Sequence, residues 1–167
     1  EFSRQGCRIV KLHPGVQRFY ADQPEAMAIY EVCDQLGLVV FFHAGRAGIE
    51  PQMAQQYNLV RFLEPVLAEF PRLQVVLGHA GARDVSEAIP LAQRYENAWL
   101  GTHGQSVSQL GELVDRVDDQ RLLFGSDWPF YPIASSQAKT LIVSEHDPNL
   151  RRNLLRDNAL RLFESAA

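Results

Sequence analysis

The chain has five histidines, at positions 13, 43, 79, 103 and 146, and four of them stand where an apolar run gives way to small or polar residues. "RIVKLHP" reaches His13, "LVVFFHAG" holds His43, "LQVVLGHAG" holds His79 and "NAWLGTH" ends at His103. A fifth run, "LLFGSDWPF", breaks at Asp127. Neutral imidazoles with a carboxylate suit a divalent metal such as zinc or manganese. A metal there would lower the pKa of bound water toward ~7 and supply a hydroxide nucleophile at neutral pH. A strand-end Asp beside that water could hold or accept its proton. Each residue alone also has an ordinary reading. A strand-end His hydrogen-bonds a loop, an Asp caps a turn or helix, and Ser126 and Trp128 pack locally. Recurrence at the same place in successive units is what points to a site.

Five buried strands would have to bring these residues together. The runs Arg8 to Pro14, Leu38 to Gly45, Leu73 to Gly81, Asn97 to His103 and Arg121 to Asp127 alternate with helical patterns. A helix over about Pro24 to Leu36 has Asp22 as a cap, Pro24 in its first turn and Gly37 as its left-handed stop. Its apolar face reads as Met27, Ile29, Tyr30, Cys33 and Leu36. A loop rich in Gly and Gln precedes a helix over about Asn58 to Phe70, kinked or split at Pro65. Asp84 opens a helix to about Tyr95, with Pro90 inside. Ser106 caps another, with Val107, Leu110, Val114 and Val117 on one face. Helices over about Ile133 to Ser144 and Pro148 to Glu164 close the chain. In the last, Asp147 is the cap and Leu150, Leu154, Leu155, Leu162 and Phe163 form the buried side.

Continuous apolar strands alternating with amphipathic helices make this an α/β chain: a parallel sheet covered by helices, in one domain over residues 1–167. An open doubly wound sheet and a βα barrel both fit. No Gly-x-Gly-x-x-Gly or Gly-x-x-x-x-Gly-Lys motif follows the first strand, which weakens the nucleotide-binding form. In a barrel the C-terminal strand ends share one rim, and that rim carries the chemistry. Alternation then puts His43 on the face of Phe41 and Val39, and Asp127 on that of Gly125 and Leu123.

Composition excludes several classes. The 167 residues are 46% hydrophobic and 22% charged, with a net charge of −4 and no basic stripe. Nucleic acid and anionic membranes are therefore poor partners. The longest apolar run, Leu36 to Phe42, is too short to span a bilayer. The polar start "EFSRQGCR" is no signal peptide. Cys7 and Cys33 have no metal-ligand or disulfide spacing and read as reduced thiols, which places the chain in the cytoplasm.

"VKLHPGVQRFYADQPEAMAIYEVCDQLGLVVFFHAG", "FPRLQVVLGHAG", "NAWLGTH", "LLFGSDWPF" and "RDNALRLF", in this order, resemble the amidohydrolase-2 group of the metal-dependent hydrolase superfamily. The resemblance covers nearly the whole chain. It implies five of the eight units of a (β/α)8 TIM barrel, strands four to eight, with a divalent metal, usually zinc, at the C-terminal rim. It implies that His43 and Asp127 bind the metal. His79 is then a further ligand or an acid/base that orients the attacking water. Lys11, with His13 on its face by parity, falls where some members place a carboxylated lysine; a substrate-orienting cation or a core-edge residue is the alternative. Three features depart from the family. No His-x-His is present, and strands one to three are absent. Gly101 also stands where many relatives carry an acid, with His103 nearby.

The expected reaction is attack of metal-activated water on an ester, lactone or amide carbonyl, with Asp127 managing the proton and His79 polarising or orienting. Decarboxylation at the same metal is the alternative within the family. An idle, non-catalytic half-barrel is the alternative outside it. The loop "HAGRAGIEPQMAQQY" should help line the mouth around a small-molecule substrate. Arg46 in it could grip a substrate carboxylate or remain a solvated cation. Lys11, His13, Arg46 and His103 are the candidate substrate contacts. Five barrel strands leave two raw edges and an apolar inner face. A homo-oligomer, or pairing with a missing N-terminal segment, is expected to cover them.

Overall fold

A computed structural model describes residues 3–166. The strands are β1 (Ile9–Leu12), β2 (Val39–His43), β3 (Val75–Gly78), β4 (Ala98–Gly101) and β5 (Leu122–Leu123). They form one parallel sheet in chain order. A doubly wound sheet reverses its strand order at a switch point, whereas here every strand adds to the same side. The connectivity is therefore that of consecutive barrel units, and β1 and β5 are its two edges.

Alternation sorts each strand. Val40, Phe42, Val75, Leu77, Leu100 and Leu122 are fully buried in the main core with the helices. The opposite, inward face carries Val39, Phe41, Val76, Trp99 and Leu123. All five ladders are shorter than the apolar runs that announce them, because the last residues of each run leave the sheet for the rim. β5 pairs over two residues only, and the next N–H, that of Phe124, goes to the Leu154 carbonyl at 3.3 Å.

The helices among the described residues are α1 (Pro14–Gln17), α2 (Pro24–Gln35), α3 (Gln52–Gln55), α4 (Glu64–Glu69), α5 (Val85–Arg94), α6 (Val107–Arg116), α7 (Ile133–Val143), α8 (Pro148–Arg152) and α9 (Asn158–Ser165). Pro65 splits its helix as expected: a 3-10 turn over Val60–Leu63 precedes α4. Ser106 and Gln109 form a reciprocal capping box on α6, and Asp147 caps α8 through the N–H groups of Asn149 and Leu150. Three expectations are corrected. Asp22 does not cap α2, since Gln23 holds the cap position without a side-chain bond. The buried stripe of α2 is Ala26, Tyr30 and Cys33, and Ile29 and Leu36 face solvent. A π-helical turn over Asn153–Asp157 shifts the phase between α8 and α9, which leaves Leu155 exposed.

The inward face is not bare. Leu162 and Ala166 pack on Val39, Val76, Trp99 and Leu123. Gly37, at φ +60, makes this possible, because a Cβ there would lie 2.4 Å from the Ala166 carbonyl oxygen. The chain end thus covers the sheet near the strand starts, and the half toward the strand ends stays open and polar. No helix of the described residues is long and apolar enough to cross a membrane. Cys7 and Cys33 are both free thiols.

Candidate metal centre

The strand ends converge as the barrel reading requires. The His13 and His43 rings stack, with centroids 3.9 Å apart and planes within 9°. His43 Nδ1 and His79 Nε2 lie 3.1 Å apart, within hydrogen-bond distance. His79, His103 and Asp127 offer ligand atoms that all lie within 4.8 Å of one another. His43 stands outside that triangle, one hydrogen bond away through His79. Lys11, His13, His43, His79 and Asp127 line a cavity of about 1200 Å³. The loop after β2 forms one wall through Ala47, Ile49, Glu50, Pro51, Met53 and Tyr57, as expected for "HAGRAGIEPQMAQQY".

That wall is anchored from within. Glu50 accepts hydrogen bonds from the Ala47 and Gly48 N–H groups at 2.9 and 2.7 Å. Burial pushes its pKa up, but these bonds and one from Asn58 outweigh burial and hold it below the usual carboxylate range. Buried Asn58 also accepts the Gly15 N–H at 2.7 Å, tying α1 to the loop.

The imidazoles are neutral. Burial, then the neighbouring His13 and His79, lowers His43 to about 3. Burial and His79 bring His103 to about 3. Burial lowers His79 also, against the opposing pull of Asp127. His13, lowered by burial and by Lys11, accepts the Val16 N–H on Nδ1 at 3.3 Å and caps α1. Lys11 is exposed as a residue. Its ammonium nevertheless lies 4.0 Å from the Phe41 ring centroid, and burial of that group lowers its pKa to about 8 while Asp127 opposes.

A divalent metal fits this donor set. Neutral imidazoles next to a carboxylate are the required chemistry. His43 Nε2 is buried with no hydrogen-bond partner among the described residues. A buried nitrogen left unpaired costs free energy unless something binds it.

Not every candidate arrives where expected. Arg46 is committed elsewhere: its backbone N–H and its guanidinium both engage the buried Asp84 carboxylate. That pairing occupies the Nε and Nη2 edge of the guanidinium, and it explains why Asp84 precedes α5 without capping it by its side chain. His103 is buried and lines a smaller cavity of about 290 Å³ on the inward face, with Ile9, Lys11, Phe41 and Asp127, instead of the large one. Asp127 reaches the mouth by a route that strand parity does not describe: β5 ends at Leu123, and Asp127 has φ +61. Arg83 and Gln105 line the large cavity and carried no sequence signal.

A sequence model of the amidohydrolase family matches residues 2–164. Comparison with curated proteins gives no match. Among solved structures, an uncharacterised TIM-barrel protein of Bordetella bronchiseptica is similar at 25% identity and TM-score 0.80, over 98% of this chain and 59% of its own. A dihydroxybenzoic acid decarboxylase of a Polaromonas species, with bound manganese and the inhibitor 2-nitroresorcinol, is similar at 18% identity and TM-score 0.67, over 87% of this chain and 55% of its own. A probable 2-pyrone-4,6-dicarboxylic acid hydrolase of Acinetobacter baumannii is similar at 16% identity and TM-score 0.69, over 97% and 66%. The chain thus spans little more than half the length of the first two. Five parallel βα units, a rim of histidines and aspartate, and a family match over almost every residue lead to one conclusion: this chain belongs to the amidohydrolase family.

Proposed function

We propose that the chain supplies the His43, His79 and Asp127 side of a metal-dependent hydrolase site. The observation that carries this reading is the unpartnered, buried Nε2 of His43 beside neutral His79 and the Asp127 carboxylate. When bound, a divalent metal would act as a Lewis acid and lower the pKa of attacking water. The chain's own residues do the rest. Asp127, half-buried at both cavities, takes the proton of the attacking water on its carboxylate. His43 Nδ1–H donates to His79 Nε2, which leaves the Nε2 lone pair of His43 for the metal and makes His79 the group that orients it. Lys11 remains mostly protonated at pH 7 and binds a substrate carboxylate. An ester, lactone or amide would present its carbonyl to this mouth.

Decarboxylation of a carboxylate-bearing substrate is the second reading. Lys11 and Arg83 are cations on the cavity wall, and a neighbour of the same fold is a decarboxylase. The proposal includes completion of the mouth by a further barrel segment along the β1 edge, where Ile9 is 37% exposed. The greater length of the similar structures supports that. Sedimentation in which two copies of the chain close on each other would replace the segment with a dimer.

The test begins with elemental analysis of protein purified without chelator, followed by zinc and manganese titration. At a hundredfold excess over Kd the metal should stabilise the fold by about 2.7 kcal/mol, and His43→Ala should abolish the gain. Acid release from lactones and esters then separates hydrolysis from carbon dioxide release by aromatic acids. Unchanged melting with either metal would leave a half-barrel whose rim is idle.

A further inference from the structure

The backbone at His79 takes a shape that histidine rarely adopts: φ is +56, and Ala80 and Ala82 follow at +46 and +49. Two side chains from the segment after β4 grip this residue at both ends. His103 Nε2 accepts the His79 backbone N–H at 3.0 Å. Gln105 Nε2 donates to the His79 carbonyl oxygen. Both side chains are buried, and Lys139 from α7 donates to the Gln105 carbonyl at 2.9 Å, which fixes the segment in turn.

Space for the His103 ring comes from missing side chains on two segments. A Cβ on Gly101 would lie 2.9 Å from its Cε1, and one on Gly125 2.7 Å from its Nδ1. Two glycines thus clear one niche for one ring.

The proximity of His103 to His79 and Asp127 invites a ligand role, and its hydrogen bond argues against one. A neutral imidazole has one nitrogen with a free lone pair. His103 spends that lone pair on the His79 N–H, so its Nδ1 carries the proton and has nothing to give a cation. We propose that His103 and Gln105 are positioning residues: they clamp His79 in its left-handed conformation and so aim its imidazole at His43 and the metal position. The metal part rests on the function proposed above; the clamp itself does not.

The decisive measurement is NMR on the full chain labelled with nitrogen-15. A coupling through the hydrogen bond between the His79 amide nitrogen and His103 Nε2 should be present without metal and survive saturation with zinc. Its absence in zinc-free protein overturns the clamp, and its loss on zinc addition makes His103 a ligand. Variants give a second readout, with folding checked by circular dichroism. His103→Ala and Gln105→Ala should each weaken zinc about tenfold, as loss of a group that orients a ligand does. His103→Gln, which keeps an acceptor, should recover part of that loss. A loss as large as that of His43→Ala, with no recovery in His103→Gln, contradicts the proposal. If zinc binds no form of the protein, the metal reading fails while the coupling still decides the clamp.

Discussion

Phe41 and Phe42 are consecutive on β2 and face opposite ways. Phe42 is fully buried, edge-on to Tyr30 with ring centroids 5.6 Å apart, among helix residues that exclude water. Phe41 is half-buried, beneath the Lys11 ammonium and 5.9 Å from the His103 ring. The same contrast holds across the sheet. The helix-side positions carry aliphatic and aromatic groups, and the one polar atom against Phe42's neighbour ring, the Tyr30 hydroxyl, is buried without a hydrogen-bond partner among the described residues. The inward positions near the strand ends carry His43, Gly78 and Gly101, where side chains are polar or absent. Stability is concentrated on one face and chemistry on the other, so the two faces should respond differently to perturbation.

Phe42→Ala should show the largest effect, a loss of ~3–5 kcal/mol in urea unfolding. Phe41→Ala should cost less than half as much; equal losses would erase the contrast between the faces. Acidification comes next and acts on the inward face. His43 and His103 titrate at about 3 in the folded chain, against 6.5 when unfolded. Between those values the unfolded chain binds protons that the native state refuses. Stability is therefore full above pH 6.5 and is lost as pH falls toward 3. The urea midpoint should already drop between pH 6.5 and 5, above the range of ordinary carboxylates. A flat midpoint there would mean that these rings are not held neutral.

Gly125→Ala tests the niche. Its Cβ must displace the His103 ring, so a cost of about 1–3 kcal/mol is expected, seen as a lowered melting temperature. Gly111→Ala, in open space inside α6, should instead stabilise by about 0.5–1 kcal/mol and serves as the contrasting control. The smallest effect belongs to neither face. Arg116→Ala breaks an exposed pair with Glu112 and should change urea stability by ~0.3–0.5 kcal/mol.

Much of the helix-side face was legible in the sequence. Runs such as "LQVVLG" declare buried strands, and Ser106 declares a helix start. Five strand–helix units left the barrel and the open sheet indistinguishable, because strand order is a long-range property that no local pattern records. At the site, the family resemblance brought His43, His79 and Asp127 into view, and the structure gathers them. The relation of His103 to His79 could not be read, since it depends on a left-handed turn at a non-glycine residue, which no local pattern announces. Arg46 shows the same limit from the other side. Its type suits a carboxylate, and only the fold reveals that the carboxylate is Asp84.

The glycine niche has a consequence for variation at this site. Positions 101, 125 and 103 form a single packing unit drawn from separate strands and loops, so their substitutions are not independent. A side chain entering at either glycine requires a smaller residue at 103. A library that randomises the mouth one position at a time would discard those combinations as dead. Varied jointly, the three positions give a route to reshaping the inner wall while His43 and Asp127 are left untouched.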